Sequence, residues 1–325
     1  MTVEPARFLP LRPFGQTGLN VTALAIGCAP LASMPETFGY DVSVQQAVAM
    51  LRAVFQSPIN FLDTAASYGD GESERRIGLA LRDHGGRVPD GYVLATKADR
   101  DLRTGDFSGD QIRRSIERSL RLLGVDRLQL VYLHDPEHTT FENVMGKAGP
   151  VAVLRRFKDE RVIAHLGIAG GPIDLLLRYV ETGAFEAVIT HNRYTLLSRV
   201  AEPLLDAGRR LGVAVVNAAP YGGGILARGA RAFPKYAYRA ASAEILDKVM
   251  RMEDICSRGG VPLAAAGLQF SLRDPRIVST IVGVSRPDRV RELVDLAGHP
   301  IPDDVWAELL AIEPLRDDPE RGRWA

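Results

Sequence analysis

The sequence predicts a closed (β/α)8 barrel, the TIM-barrel fold, built as one domain over residues 1–325 with an N-terminal β-hairpin and an extra C-terminal helix. Three observations predict it. Short apolar runs alternate with amphipathic segments through eight successive units. Repeated βα units imply a parallel sheet, because each return crossover needs a helix. The 325-residue length suits eight such units with additions at the ends. An open doubly wound sheet is the rival. It would carry a glycine-rich phosphate turn after its first strand, whereas the residues there read APLASMP.

The elements follow in order. FGQTGLNV (14–21) reads as a small hairpin turning at Gln-Thr-Gly, placed to plug the barrel bottom. The first unit pairs strand 23–29 with helix 43–56, the second strand 59–65 with helix 72–83. Strand 92–97 precedes helix 108–124, which Gly124 can end in a left-handed turn. Strand 128–134 precedes helix 151–162, and strand 164–169 precedes helix 172–183 with Pro172 in its first turn. Strand 185–192 and helix 201–212 form the sixth unit. Strand 213–219 is followed by two helices, 243–260 and 262–274. Strand 278–284 and helix 286–298 close the series.

Composition narrows the function. Hydrophobic residues make up 46% and charged residues 25%, which permits a large core and argues against disorder. The formal net charge is zero, so no basic excess exists to neutralise a nucleic acid or an anionic membrane. The longest uncharged span, Phe14 to Pro35, is too polar to cross a bilayer. MTVEPARFLPLRPF lacks the apolar run of a signal peptide, so the expected location is the cytoplasm. Cys28 and Cys256 read as buried reduced thiols, and no metal-ligand spacing occurs.

Active sites of such barrels sit at the C-terminal ends of the strands. Asp63 ends the second strand, and Tyr68 lies in the loop after it. Lys97 ends the third and His134 the fourth. A phenol is a poor base near neutrality, and a neighbouring ammonium favours its ionised form. A carboxylate holds that ammonium in place, and an imidazole can bind or relay to the substrate oxygen. The four together form a proton-transfer set for interconverting alcohol and carbonyl. A protein has no hydride carrier of its own, so a nicotinamide cofactor is required.

FLDTAASYGDGESE (61–74), LATK (94–97) and LVYLHDP (130–136) resemble the aldo-keto reductase superfamily, and the resemblance covers nearly the whole chain. It implies Tyr68 as general acid/base, Asp63 and Lys97 as its tuners, and His134 as the residue that orients the substrate oxygen. It also implies NAD(P) bound in an extended form. Many members carry Ser-Asn after the fifth strand, where this chain has Ala169 and Gly170. His191 or Asn192 stands where many carry Gln. Pro220 and Tyr221 open the seventh loop, with Tyr221 able to stack on the nicotinamide. The backbone from Gly222 through Gly224 to Leu226 is placed to cradle a pyrophosphate. Gly283, Ser285, Arg286 and Arg289 resemble the adenosine-phosphate segment and leave NAD and NADP both open.

Within the family, NAAPYGGGIL (217–226) is most similar to the branch of sugar and pyridoxal dehydrogenases. The expected activity is that of an aldose 1-dehydrogenase taking L-fucose-like sugars to lactones. The alternatives are an NADPH-dependent aldehyde or carbonyl reductase, a pyridoxal 4-dehydrogenase, and a cofactor-binding regulatory barrel with little turnover. Loops 30–42, 100–107, 136–149 and 222–241, with Met34, Phe38, Tyr40, Phe107, Phe233, Tyr236 and Tyr238, are expected to set specificity. The oligomeric state is open.

Overall fold

The computed structural model describes residues 9–321; the two ends of the expected domain lie outside the described residues. A hairpin opens the chain, with β1 (Leu11–Pro13) antiparallel to β2 (Asn20–Thr22). The barrel strands are β3 (Leu24–Gly27), β4 (Phe61–Asp63), β5 (Val93–Ala98), β6 (Leu128–His134), β7 (Ile163–Ala169), β8 (Ala187–His191) and β9 (Ala214–Ala218). After a short hairpin of β10 (Lys235–Tyr236) and β11 (Arg239–Ala240), the last barrel strand β12 (Ile277–Gly283) follows. All neighbouring barrel strands are parallel, and β12 pairs with both β9 and β3 to close the circle.

Helices cover the outside: α1 (Pro35–Phe38), α2 (Val44–Phe55), α3 (Glu72–Asp83), α4 (Gly109–Leu123), α5 (Phe141–Met145), α6 (Pro150–Asp159) and α7 (Ile173–Val180). Then come α8 (Glu202–Leu211), α9 (Ile225–Arg228), α10 (Ala243–Arg258), α11 (Leu263–Leu272), α12 (Pro287–Ala297) and the terminal α13 (Asp303–Leu310). Serine side chains begin three of the long helices. Ser43, Ser108 and Ser242 accept from the N–H groups of Gln46, Gln111 and Ile245, satisfying donors the helix itself leaves open. Gly124 ends α4 at φ 70°, as its sequence position implies. Pro172 stands one residue earlier than expected, as the cap before α7.

Side-chain alternation along each strand divides the core in two. Phe61, Val93, Ala95, Leu130 and Tyr132 pack inside the barrel, while Leu62, Leu94, Val131 and Leu133 face the helices. Asp63, Lys97 and His134 are the next inward positions on β4, β5 and β6, at the C-terminal rim. The alternation that builds the core thus delivers three polar groups to one mouth. Gly167 on β7 makes room for the Tyr132 ring, since a Cβ there would lie 2.3 Å from Cδ1 of Tyr132. At the other end Phe14, from the hairpin turn, meets Phe61 edge-on at 5.7 Å and plugs the barrel. Arg12 ties the hairpin down by donating to the carbonyl oxygens of Ile277 (2.5 Å) and Leu272 (2.6 Å).

The two acids in the first turn of α3 take different environments. Glu72 pairs with Arg75 and Arg76, each at 2.7 Å. Glu74 instead turns inward and is fully buried, accepting from Thr96 Oγ1 at 2.5 Å. Burial raises its carboxyl to about 7, with the hydroxyl contacts of Thr96 and Ser119 opposing the rise. A carboxyl raised in the folded state is most favourable while protonated, so its stabilisation is complete below 4.5 and lost as pH rises through 7. Glu74→Gln should remove that dependence. The variant is expected to gain on the wild type by about 3 kcal/mol between pH 4 and 8, judged at ~1.4 kcal/mol per pKa unit. Thermal melts across that range test it; parallel wild-type and variant curves would refute it.

Candidate active site

The loop from β4 to α3 carries the phenol. It turns through left-handed backbone at Gly69, Asp70 and Gly71, with φ of 58°, 52° and 86°. Asp70 is held there by Arg118 of α4, whose guanidinium donates to its carboxylate at 2.7 Å. Tyr68 is thereby set over the mouth. Lys97 Nζ reaches Asp63 Oδ1 at 2.6 Å, the Thr64 carbonyl at 2.9 Å and the Tyr68 hydroxyl at 3.0 Å. Its ammonium therefore has three oxygen partners and lies 4.7 Å from the Tyr68 ring centroid. The His134 ring stands edge-on to Tyr68 at 6.0 Å. All four residues expected from the sequence meet at one place.

Electrostatics refine the expectation. Burial would lower Lys97, but Asp63 and Tyr68 outweigh it and hold the ammonium charged, above its ordinary range. Burial raises Asp63, and Lys97 opposes that rise. The sequence reading has the ammonium lowering the Tyr68 phenol. The structure corrects the net sign: burial raises the hydroxyl well above 10, and Lys97 only limits the rise. At neutral pH the Tyr68 hydroxyl is protonated, and its phenolate form grows with alkalinity.

His134 has a carboxylate on either side. Nδ1 lies 2.6 Å from Asp99 Oδ1, and Nε2 lies 3.5 Å from Asp135 Oδ1. Burial would lower the imidazole, but Asp135 and Asp99 outweigh it and raise it above 6.5. Asp99 was missed in the sequence. The available signal is its place two residues after Lys97, hence on the same side of the chain continuing from β5. Asp135 reads there as a turn residue, and it does sit in a left-handed turn at φ 47°.

The expected cofactor residues divide by environment. His191 ends β8, partly exposed; its Nδ1 lies 3.1 Å from Glu320 Oε1 and its Nε2 3.1 Å from the Tyr238 hydroxyl. Asn192 is fully buried, and its amide donates to Glu320 at 3.0 Å. Pro220 is buried, and Leu226 belongs to the core. Tyr221 packs against α11, where a Cβ on Gly267 would meet its ring at 3.3 Å, and its hydroxyl is buried. The residue as a whole is half-buried. Gly222, Gly223 and Gly224 run at φ 59°, 78° and 124°, so this backbone needs glycine at three positions in a row. Gly283 ends β12, and the Ser285 carbonyl accepts from Gln46 at 2.9 Å. Arg286 stands exposed and Arg289 half-buried at the start of α12, paired with Asp288 (3.1 Å) and Glu292 (2.5 Å).

Of the aromatic residues in the four loops, three turn away from the mouth. Phe107 and Tyr236 are buried in the outer core, and Phe233 packs against it. Tyr40 and Tyr238 remain exposed, at 43% and 41%. Ala237 and Tyr238 form the tip of the β10–β11 hairpin at φ 44° and 69°, a turn with none of the usual Asn or Gly signals.

The residues present suit an extended dinucleotide: a positive-φ glycine run follows β9, and α12 starts with two arginines. Among the described residues, no group of three or more His, Cys, Asp or Glu could hold a metal ion, and no helix is long and apolar enough to cross a membrane.

Comparison with known proteins agrees with this geometry. Residues 24–314 match the sequence model described as "Aldo/keto reductase family". D-threo-aldose 1-dehydrogenase of a Pseudomonas species is 32% identical over 90% of this chain and 94% of its own length. Pyridoxal 4-dehydrogenase of Microbacterium luteolum is 30% identical over 92% and 96%. In three dimensions, an aldo-keto reductase of Bacillus halodurans in its holo form superposes with a TM-score of 0.74, covering 93% of this chain and 95% of that one at 24% identity. With the barrel closed, the four polar groups joined at its mouth and the match running through all eight barrel strands, the chain belongs to the aldo/keto reductase family and is an oxidoreductase of that type.

Proposed function

We propose that the protein is an aldose 1-dehydrogenase, oxidising L-fucose-like aldopyranoses at the anomeric carbon to lactones, with NAD(P) as acceptor. The observation that carries this reading is the Lys97–Tyr68 contact of 3.0 Å at the barrel mouth, with His134 beside it. The sugar class rests on the Pseudomonas relative's name and on the polar rim of Asp135, Arg100 and His191, which suits hydroxyl groups. When bound, the nicotinamide ring supplies the hydride acceptor. Tyr68 takes the proton of the anomeric hydroxyl as the C1–H bond gives up its electron pair. Lys97 holds the phenolate that makes this possible, and Asp63 holds Lys97. His134 meets the same oxygen through Nε2. The reverse direction uses Tyr68 as the acid, and its high proton affinity favours that role near neutrality. No helix among the described residues is long and apolar enough to cross a membrane, and the proposed setting is the cytoplasm.

Coenzyme choice lies at Arg286 and Arg289. A 2′-phosphate there would have to compete with Asp288 and Glu292, so NAD⁺ is the better match. The test is the appearance of reduced-nicotinamide absorbance with NAD⁺ and with NADP⁺, against L-fucose, D-arabinose, L-galactose, D-glucose and pyridoxal. Reduction of NAD⁺ by one of the sugars is expected, faster as pH rises from 7 to 10. Turnover of pyridoxal alone, or of simple aldehydes with NADPH alone, would replace the sugar reading and leave the site assignment intact.

A further inference from the structure

We propose that Asp99 is a positioning residue of the reaction: one carboxylate oxygen holds Nδ1 of His134 and the other holds the backbone N–H of Ser67, so that a single side chain orients the imidazole and locks the Tyr68 loop against it. The geometry is specific. Oδ1 lies 2.6 Å from His134 Nδ1, and Oδ2 accepts from Ser67 N at 2.9 Å, immediately before Tyr68. Asp99 is itself fixed. It is 4% exposed, its own N–H donates to Ser115 Oγ at 3.1 Å, and its carbonyl accepts from Gln111 Nε2 at 3.2 Å. Both anchors come from α4, so a helix outside the barrel sets the angle of a group inside its mouth.

The chemical consequence is a choice of tautomer. An ionised carboxylate can only accept, so neutral His134 must carry its proton on Nδ1 and present the Nε2 lone pair. In that form Nε2 cannot share the one proton that the reacting hydroxyl gives to Tyr68, and it can accept only from a neighbouring hydroxyl of the substrate. Protonated His134 keeps Nδ1–H on Asp99 and gains Nε2–H, which can donate to a carbonyl oxygen and suits reduction. Charged and titratable groups facing His134 are Asp99 from the end of β5, Asp135 from its own strand end, Lys97 from β5, Asp63 from β4 and Glu137 from the turn that follows. Tyr68 faces it edge-on. Asp135 adds negative charge near Nε2, but at 3.5 Å makes no hydrogen bond that could fix the tautomer.

This assignment rests on His134 being the imidazole that meets the substrate oxygen, and its test separates the two. The ¹⁵N spectrum of ¹⁵N-histidine-labelled full-length protein would be followed against pH, with the His134 signals assigned by their loss in His134→Gln. The wild type should show neutral His134 protonated on Nδ1 and a midpoint above 6.5. Asp99→Asn should lower that midpoint by about one pH unit or more, since a neighbouring charge is removed. It should also move the neutral proton to Nε2, because the amide now donates to Nδ1. Asp135→Asn should lower the midpoint while leaving the proton on Nδ1. Turnover in Asp99→Asn should fall on the order of tenfold to a hundredfold with little change in coenzyme affinity. Neutral wild-type His134 protonated on Nε2 would overturn the proposal without any variant having to fold. An unchanged tautomer in a folded Asp99→Asn would do the same. The expected tautomers with no loss of turnover would instead remove His134 from the reaction.

Discussion

Tyr68→Phe is expected to lower turnover by roughly 10²- to 10⁴-fold in both directions, the usual contribution of one positioned proton-transfer group. The expectation is clean because the rest of the site does not depend on that hydroxyl. Lys97 keeps Asp63 Oδ1 at 2.6 Å and the Thr64 carbonyl at 2.9 Å after Tyr68 has lost its oxygen. The ring stays, so its edge contact with His134 stays, and no buried charge is left unpaired. Coenzyme affinity, followed by fluorescence, should change little. The two directions should differ in their pH response in the wild type. Burial keeps the hydroxyl protonated well past 10, so oxidation climbs with pH as phenolate forms, while reduction declines as His134 gives up its Nε2 proton. In Tyr68→Phe that alkaline climb should disappear. A variant that keeps most of its turnover, or keeps the climb, would show that another group carries the proton.

Much of this site is legible in the sequence because strand alternation and strand ends are local. Asp63, Lys97 and His134 follow inward-facing Phe61, Ala95 and Tyr132 at the spacing of two that a strand imposes. Tyr68 follows from the turn after β4. What is not legible depends on contacts between distant segments. Asp99 gains its meaning only when β6 lies beside β5 and brings His134 within 2.6 Å. Glu74 has the composition of a solvated helix start, yet the packing of α3 on β5 buries it against Thr96. Tyr221 stands in a loop that reads as open to the mouth, but Gly267 on α11 leaves a space which its ring fills. Ala237 and Tyr238 form a tight hairpin tip without the residues that announce one. Burial and partnership across the chain decide each of these, and no window of neighbouring residues contains them.

The same limit hides the C-terminal segment, whose removal from the barrel should have the largest effect on stability. Arg193, at the turn after β8, is 1% exposed and carries a charge that must be met. Asp318 meets it through two bonds, 2.7 Å to Nε and 2.8 Å to Nη2, and Glu320 meets Nη1 at 3.0 Å. Glu320 also holds His191 and Asn192, so one buried carboxylate joins the chain end to three consecutive residues of the rim. Burial would raise that carboxyl, but His191, Arg193 and Asn192 together hold it far below the usual range. A group lowered on folding adds stability above its unfolded value of 4.5, and that stability is lost as pH falls below it. Glu320→Ala should therefore cost roughly 3–5 kcal/mol at pH 7, as breaking a buried pair does. The matching drop in melting temperature is roughly 4–8 °C for a chain of this size. The gap between variant and wild type should narrow at pH 3 to 4. A smaller loss at pH 7, accompanied by faster proteolysis at Arg316 and Arg321, would mean that the segment peels away and lets water reach Arg193. In that case KM for the substrate should rise as well, because His191 would lose its carboxylate partner and keep the Tyr238 hydroxyl and the Asn192 amide. Melting curves that coincide at every pH, with KM unchanged, would show that the clasp contributes nothing and that the barrel holds His191 unaided.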